Sequence, residues 1–126
     1  MTPRLHENLQ VWQDAMKLVE IIYEFCICIP HSEKFGLISQ MQRAAVSIPS
    51  NIAEGAARDT TKDYLRFLVI SRGSLAELET QIKICKRLGF HAETELTFVQ
   101  CNKVFAKLSA LIRSLKRKLE NESSYE

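Results

Sequence analysis

Residues 40–55 read QMQRAAVSIPSNIAEG, and this stretch decides the fold of the chain. Apolar residues recur there at intervals of three and four, as on the buried stripe of an α-helix: Leu37, Met41, Ala44, Ile48 and Ile52. Pro49 stands inside that pattern, where its missing N–H and its ring cost about 3 kcal/mol. Two interpretations are open. Either one helix continues through Pro49 with a kink, or it ends near Ile48 and Ser50 caps a second, short helix.

A polar stripe runs beside the apolar one. Its members share one helical face because they are spaced by seven, four, three and four: Gln40, Ser47, Asn51, Glu54 and Arg58. Such a stripe either binds a ligand or forms a hydrogen-bonded network that fixes this helix against the next one. We favour the network, with partners for Asn51 and Glu54 in the next helix among Arg66, Ser74 and Glu77. Gly73 would then allow the two helices to approach closely.

The remaining sequence predicts three more amphipathic helices. The four predicted helices span about residues 8–29, 32–57, 61–88 and 93–120. Ser32 is the predicted cap of the second helix, Thr60 with Asp63 that of the third, and Gly89 a left-handed stop. Short connections between long helices favour a single all-α domain over residues 1–126, an antiparallel up-down-up-down four-helix bundle.

The predicted core stripes follow from the same spacing. They comprise Leu9, Trp12, Met16, Val19, Tyr23 and Cys26 in the first helix; Tyr64, Leu68, Ser71, Leu75, Leu78, Ile82 and Cys85 in the third; and Phe98, Cys101, Phe105, Leu108, Ile112, Leu115 and Leu119 in the fourth. Four further apolar residues extend beyond or flank these stripes: Trp12, Phe67, Val69 and Ile70. This surplus apolar surface favours a closed cyclic homo-oligomer.

Composition limits the possible functions. Hydrophobic residues make up 46% and charged residues 25% of the 126 residues, as in soluble globular proteins. No apolar run approaches the ~20 residues of a membrane span, and residues 1–7 lack a signal-peptide pattern. We therefore expect a cytoplasmic protein with no membrane role. The four cysteines lack metal-ligand spacing and are expected to be reduced core residues.

Reactive side chains do not converge in the sequence. His6, His31 and His91 fall at predicted helix boundaries without a carboxylate or cysteine one helical turn away. Phosphate-cradling glycine loops, Gly-x-Ser-x-Gly, and the Glu-x-x-His pairs of di-iron bundles are absent from the sequence. We expect no catalytic residues, no metal, no cofactor and no small-molecule substrate.

Charge is distributed unevenly along the chain. Residues 81–118 hold nine Lys or Arg against two Asp or Glu, although the whole chain has a net charge of only +2. The candidate nucleic-acid-binding residues in this part are uninterrupted by any acid: Lys103, Lys107, Arg113, Lys116, Arg117 and Lys118. A basic helix face is typical of nucleic-acid binders, and it is also common as a merely solvated surface. No aromatic residue stands at these six positions to stack on a base.

Residues 40–55 also carry a family resemblance. They resemble the signature of the four-helix-bundle proteins known as 23S rRNA intervening-sequence, or S23-type, proteins. The resemblance continues at residues 9–12, 35–37, 67–68, 73–75, 77–80 and 88–90 and fades after about residue 112. The motif residues expected to have structural roles are Gln40, Arg43, Ser47, Pro49, Asn51, Glu54, Gly55, Arg58, Gly73 and Glu77.

The resemblance implies a fold more firmly than an activity, because such proteins are mostly named by gene location. The related accessory protein of diversity-generating retroelements is a basic pentamer that works with RNA and reverse transcriptase. The resemblance therefore implies a homo-oligomer, with a pentamer favoured, that binds structured RNA or DNA through basic helix faces. A protein-interaction scaffold with no nucleic-acid role is the alternative.

Overall fold

Four long helices make up most of the chain in a computed structural model, which describes residues 4–90 and 93–124. They are α1 (Gln10–Ile27), α2 (Ser39–Ala56), α3 (Thr61–Arg87) and α4 (Glu95–Ser124). No strand occurs within the described residues. The prediction of an all-α protein with four helices is therefore confirmed. His91, predicted to lie at a helix boundary, falls outside the described residues.

The helices share one hydrophobic core. Each helix packs against the next one along the chain, and α1 also packs against α4. All four helices contribute side chains that solvent does not reach, such as Leu18, Ile48, Leu75 and Leu108. Each helix therefore has its inner face in the common core, a neighbouring helix on each flank, and an outer face directed away from the core.

Helix α2 continues through Pro49, so the interpretation in which the helix ends near Ile48 is wrong. Pro49 is itself buried. Two serine hydroxyls bond to carbonyl oxygens in the turn before it. Ser50 Oγ donates to the Val46 carbonyl at 2.7 Å, and Ser71 Oγ of α3 donates to the Ile48 carbonyl at 2.9 Å. The second of these bonds ties the backbone next to Pro49 to α3.

The predicted start of the second helix is wrong. Residues His31–Glu33 form a 3₁₀ turn and Lys34–Ile38 a π-helical turn, so the α-helix begins only at Ser39. Gly36 has non-helical dihedrals inside that turn, with φ −108° and ψ −110°. Ser32 lies in the 3₁₀ turn and does not cap α2. About two turns of 3₁₀ and π-helical backbone, at residues 31–38, therefore separate the predicted start from the observed start of α2.

The ends of α3 match the sequence prediction. Thr60 Oγ1 accepts a hydrogen bond from the Asp63 backbone N–H at 3.1 Å, which caps the helix. Gly89 has a φ of +73°, as expected for a left-handed residue after a helix. Helix α4 begins two residues later and ends four residues later than predicted.

The core stripe of α1 is rotated relative to the prediction. The buried residues of α1 are Val11, Ala15, Leu18, Ile22, Phe25 and Cys26. Met16 and Tyr23, predicted as core residues, are exposed. Two neighbouring apolar stripes exist on this helix, and spacing alone does not show which one the other helices cover.

Candidate nucleic-acid interface

The six basic residues predicted to bind nucleic acid all lie on α4, but they do not act as one group. Five are exposed and form no ion pair within the described residues: Lys103, Arg113, Lys116, Arg117 and Lys118. We call these five the basic face. The sixth, Lys107, is half-buried and differs from them in its contacts.

Lys107 joins α4 to α1. Its ammonium group forms a salt bridge with the Asp14 carboxylate, whose side chain is only 15% exposed. Gln10 Nε2 also donates to that carboxylate at 3.1 Å, and Gln100 Nε2 donates to the Asp14 backbone carbonyl at 2.8 Å. Lys107 is therefore engaged in interhelical packing and its charge is largely neutralised.

Helical geometry orients the basic face toward solvent. At about 100° per residue, Lys103, Arg113 and Arg117 fall within a sector of about 80°, opposite the buried residues Val104 and Leu108. Lys116 and Lys118 flank that sector. The face extends for about 22 Å along the helix, from a rise of 1.5 Å per residue. Exposed Ala106, Ala110 and Ser114 lie between the cations, so bulky side chains do not obstruct access to them.

Phe105 was predicted as a core residue of α4, and that prediction is wrong. Its side chain is 49% exposed, whereas its neighbour Val104 is fully buried. The core of α4 follows Cys101, Val104, Leu108, Ile112 and Leu115, and Phe105 lies at one edge of that stripe. An aromatic ring is therefore exposed on the same helix as the basic face. Spacing in the sequence does not distinguish them, because Phe105 fits the three-four alternation at least as well as Val104.

The polar stripe of α2 forms a network with α3, as favoured from the sequence, but through fewer residues than expected. Ser47 Oγ and Ser74 Oγ share a hydrogen bond of 2.8 Å between the two helices. Asn51 Nδ2 donates to the Ser47 carbonyl at 2.8 Å and to Ser47 Oγ at 2.9 Å, so Asn51 supports that bond from within α2. Ser71, which was not part of the predicted network, adds the bond to the Ile48 carbonyl.

The charged members of the predicted network do not cross between the helices. Glu54 pairs with Arg58 at 2.9 Å within the same part of the chain, and both side chains are about half exposed. Glu77 accepts a bond from Gln81 Nε2 at 3.2 Å inside α3. Arg66 lies over the ring of its own neighbour Phe67. Long charged side chains reached nearer partners one turn away, and the short hydroxyls formed the interhelical contacts.

Close approach of α2 and α3 occurs at Gly55, and Gly73 has no part in it. A Cβ on Gly55 would lie 2.9 Å from Phe67 Cβ and 3.1 Å from the Tyr64 carbonyl oxygen, whereas a Cβ on Gly73 would meet nothing within 4 Å. The prediction for Gly73 is therefore wrong. Phe67 is buried here, and Arg58 and Arg66 each lie 4.7 Å from its ring centroid.

Two further motif residues, Gln40 and Arg43, are exposed on α2. Neither makes a hydrogen bond or ion pair within residues 4–90 and 93–124. Arg43 lines a shallow surface depression together with Tyr23 of α1, Gln42 and Ser47. The depression is open to solvent and brings no second charged group to Arg43.

The cysteines are free thiols, as expected. Cys26, Cys85 and Cys101 are buried in the core, as predicted, whereas Cys28 is exposed, so the prediction of a core position is wrong for Cys28. Burial raises the pKa of Cys26 to about 11 and that of Cys101 to about 12, with small contributions from Cys85 and Glu79, respectively. These thiols stay protonated at neutral pH and are poor nucleophiles.

The described part of the chain contains neither a cluster of metal ligands nor a membrane-spanning helix. Across residues 4–90 and 93–124, His, Cys, Asp and Glu side chains nowhere gather in threes as metal ligands would. None of the described helices combines the length and the apolarity that crossing a bilayer requires.

Comparison with known proteins identifies the family. No curated protein matches the chain significantly. The family model described as "23S rRNA-intervening sequence protein" matches residues 7–121, which include all four helices except the last three residues of α4. The chain belongs to the family of 23S rRNA-intervening sequence proteins.

Proposed function

We propose that this protein is a non-catalytic, homo-oligomeric four-helix bundle that binds structured RNA through the basic face of α4. The observation that carries the proposal is the set of five exposed cations on one helix, none of which forms an ion pair with an acid within the described residues. The family name, which refers to 23S rRNA, is consistent with a role connected with RNA. The free thiols fit a reducing compartment, and we place the protein in the cytoplasm.

Phosphate contacts would supply most of the affinity. Lys and Arg that neutralise phosphates release counterions, so the affinity falls steeply with salt concentration. Between residues 103 and 118 the basic face presents only cations and small side chains, and Asn121 and Glu122 lie beside Arg117 and Lys118 at its C-terminal end. Contacts from these cations go to phosphates and carry little sequence information. DNA of similar shape would therefore compete with RNA to a measurable extent.

We infer that the bundle has up-down-up-down topology. Contacts between α2 and α3 support it, because the residue number in α3 falls as that in α2 rises. Cys85 Sγ lies 3.7 Å from Met41 Sδ, Ser74 contacts Ser47, and Phe67 lies against Gly55. The connection between α3 and α4 is only seven residues long, which also favours reversal of the chain.

The homo-oligomer is supported by exposed apolar side chains that the bundle does not use. Met16 and Tyr23 of α1 and Val69 and Ile70 of α3 are all exposed. Of the two other residues expected to contribute, Trp12 packs against the core and Phe67 is buried. We favour a cyclic pentamer, in which the basic face repeats around the ring and multivalency increases the affinity for one RNA spanning several subunits.

A protein-interaction role is the second candidate, and a particular surface favours it. Three of the most exposed apolar side chains are Phe35 at 90%, Ile27 at 81% and Leu96 at 77%. Phe35 precedes α2, Ile27 is the last residue of α1, and Leu96 lies in the first turn of α4. A protein partner could cover such side chains. In this case the basic face would only keep the protein soluble.

A salt titration separates the two candidates. Binding of a labelled structured RNA is measured from about 50 to 200 mM salt for the wild type and for Arg113→Glu/Lys116→Glu/Arg117→Glu. The control, Lys17→Glu/Lys34→Glu/Lys62→Glu, has the same net charge but alters exposed lysines outside α4. We expect the affinity of the wild type to fall by about 10³-fold for six or more phosphate contacts in the assembly, and only the α4 variant to lose binding.

Two results would contradict the proposal: no binding of the wild type at low salt, or equal losses in both triple variants. Light scattering after gel filtration tests the assembly separately. A mass near 14.4 kDa at micromolar concentration would exclude the oligomer, and five times that mass would support the pentamer.

A further inference from the structure

Phe105 is the only phenylalanine of α4 that is exposed, and its ring makes no aromatic or cation–π contact within the described residues. About half of its surface is accessible to solvent. At 100° per residue, Phe105 lies on the side of the core stripe shared by Phe98, Ser109 and Lys116. Because Phe98 and Ser109 are partly buried there, this side of α4 borders another helix.

The bordering helix is α3, because Gln100 and Lys107, on the other side of the core stripe, contact α1. Ser74 of α3 contacts α2, and Arg72 lies about 160° around α3 from Ser74, on the side toward α4. Since α3 ends at Arg87 and α4 begins at Glu95, the antiparallel topology inferred above brings Arg72 near the level of residues 108–110, about one turn along α4 from Phe105. The partial burial of Arg72 fits a position at this helix boundary.

Arg72 has no partner in the described residues. It forms no hydrogen bond, ion pair or cation–π contact, although its side chain is only partly exposed. Because no protein group occupies its donors, the Arg72 guanidinium can bind an anion through charge-assisted hydrogen bonds. The nearest acid on the same face of α3 is Glu79, which lies about 10 Å away along the helix axis. Along the helix axis, Glu79 lies on one side of Phe105, and Arg113 and Lys116 lie on the other.

Positive charge continues from Arg72 along this side of α4. Arg113, at the edge of the solvent-facing sector and about 80° around α4 from Phe105, is about 7.5 Å beyond the level of Leu108. Lys116, within about 20° of Phe105, is about 4.5 Å further along the helix. Both are exposed and without ion pairs in the described residues. The order along the boundary is an exposed aromatic ring followed by three cations.

We propose that this boundary binds an unpaired nucleotide of a single-stranded nucleic acid, with its base stacked on the Phe105 ring and its phosphates on Arg72 and then Arg113. The inference rests on the proposed function and specifies it further, because it names the part of a structured RNA that this boundary binds, an unpaired nucleotide. An aromatic ring combined with a row of cations is the arrangement by which proteins bind single strands. A paired base offers no free π-face, so a duplex can use the cations but not Phe105.

The test compares three ligands of about twelve nucleotides per strand: single-stranded RNA, single-stranded DNA of the same sequence, and a blunt RNA duplex. Binding of the full chain is measured by fluorescence anisotropy for wild type, Phe105→Leu, Phe105→Trp and Arg72→Gln. Phe35→Leu is the matched control, since it makes the same change at the most exposed phenylalanine. Gel filtration of every variant records its assembly state.

We expect Phe105→Leu to weaken single-strand binding by about ten-fold, in line with base–aromatic stacking energies, and duplex binding by less than about two-fold. Phe105→Trp should retain single-strand binding, and its indole emission should be quenched by single strands more than that of Trp12 in the wild type. Arg72→Gln should lower by about one the number of counterions released on single-strand binding, as read from the slope of log affinity against log salt concentration. Equal behaviour of RNA and DNA single strands would show that the ribose 2′-OH is not read.

The outcomes separate this inference from the proposed function. If the wild type binds no nucleic acid, both fail. Suppose that the wild type binds nucleic acid, and that Phe105→Leu weakens the binding of single strand and duplex equally or weakens neither. The stacking site is then excluded, while the proposed binding through the basic face is unaffected. If Phe105→Leu or Phe105→Trp changes the assembly state, Phe105 belongs to an interface between copies of the chain and the stacking site is likewise excluded.

Discussion

Gly55 of α2 lies directly against Phe67 of α3, so closely that a Cβ on Gly55 would come within 2.9 Å of Phe67 Cβ. The Tyr64 carbonyl oxygen, at 3.1 Å, belongs to the backbone of α3 and cannot rotate away. Phe67 in turn is covered by the guanidinium groups of Arg58 and Arg66. This contact sets the distance between α2 and α3 at one end of the bundle, and the bond between Ser47 and Ser74 connects them nearer the middle.

Gly55→Ala should therefore destabilise the protein, although alanine is the better helix former. Forcing a methyl group into this contact costs about 1–3 kcal/mol, and the gain in helix propensity recovers about 1 kcal/mol at most. We expect a lower midpoint in urea unfolding. Gly73→Ala is the matched control, because Gly73 lies in α3 with open space around it. It should stabilise the protein by up to about 1 kcal/mol. Equal effects of the two substitutions would contradict the close contact.

The buried serine should matter more than the exposed ion pair on α2. Ser71→Ala removes the donor to the Ile48 carbonyl from a fully buried position, and we expect a loss of about 1 kcal/mol. Glu54→Leu removes only a half-exposed pair with Arg58 and should change the stability by less than about 0.5 kcal/mol. Both are measured by urea unfolding at one protein concentration. A larger loss for Glu54→Leu would mean that Glu54 has a partner on another copy of the chain.

Local signals predicted the helices well because their causes are local. The Thr60 hydroxyl caps α3 through a residue three positions away, and Gly89 adopts a positive φ with no help from the rest of the fold. The start of α2 was wrong for a related reason. Ser32 and Glu33 look like a helix start, but the 3₁₀ and π turns around Gly36 intervene before the apolar pattern begins.

Which residues of a helix are covered depends on the other helices, and spacing does not reveal it. Met16 and Tyr23 have the same spacing as the residues that are buried, yet they are exposed because the neighbouring helices pack on the adjacent stripe. In the candidate interface, exposure of five cations followed from their polarity. The pairing of Lys107 with Asp14, 93 residues away in sequence, arises only from the packing of α4 on α1.

Alkaline pH should destabilise the protein through its buried thiols. Burial raises the pKa of Cys26 to about 11 and that of Cys101 to about 12, above the ordinary value of 9.0. Below pH 9 both thiols are protonated in the folded and unfolded states, so their contribution is fully present. Above pH 9 only the unfolded chain loses these protons, and its stabilisation lowers the free energy of unfolding until the pH reaches the folded pKa values.

The measurement is thermal unfolding of wild type and Cys26→Ala/Cys101→Ala between pH 8 and 11. Each thiol contributes at most about 1.4 kcal/mol per pH unit over its window. The double variant should be less stable than wild type at pH 8, because it has cavities in the core, but its stability should depend less on pH. Parallel curves for the two proteins would show that the buried thiols do not cause the alkaline loss.

Lys103 and Lys107 lie one turn apart on α4 and should separate binding from stability. Lys107→Gln removes the cation from Asp14, which remains mostly buried with Gln10 as its other side-chain partner. Because Lys107 is itself 40% exposed, we expect a loss of only about 1 kcal/mol in the free energy of unfolding. Lys103→Gln alters an exposed cation with no ion pair in the described residues and should leave the stability unchanged within about 0.5 kcal/mol.

In RNA titrations the order of the two effects should reverse. Lys103→Gln should lower the number of released counterions by about one per engaged subunit, as read from the slope of log affinity against log salt concentration, and Lys107→Gln should leave that number unchanged. If Lys107→Gln reduced the salt dependence as much as Lys103→Gln, the salt bridge to Asp14 would have to open when RNA binds, and the basic face would contain all six cations.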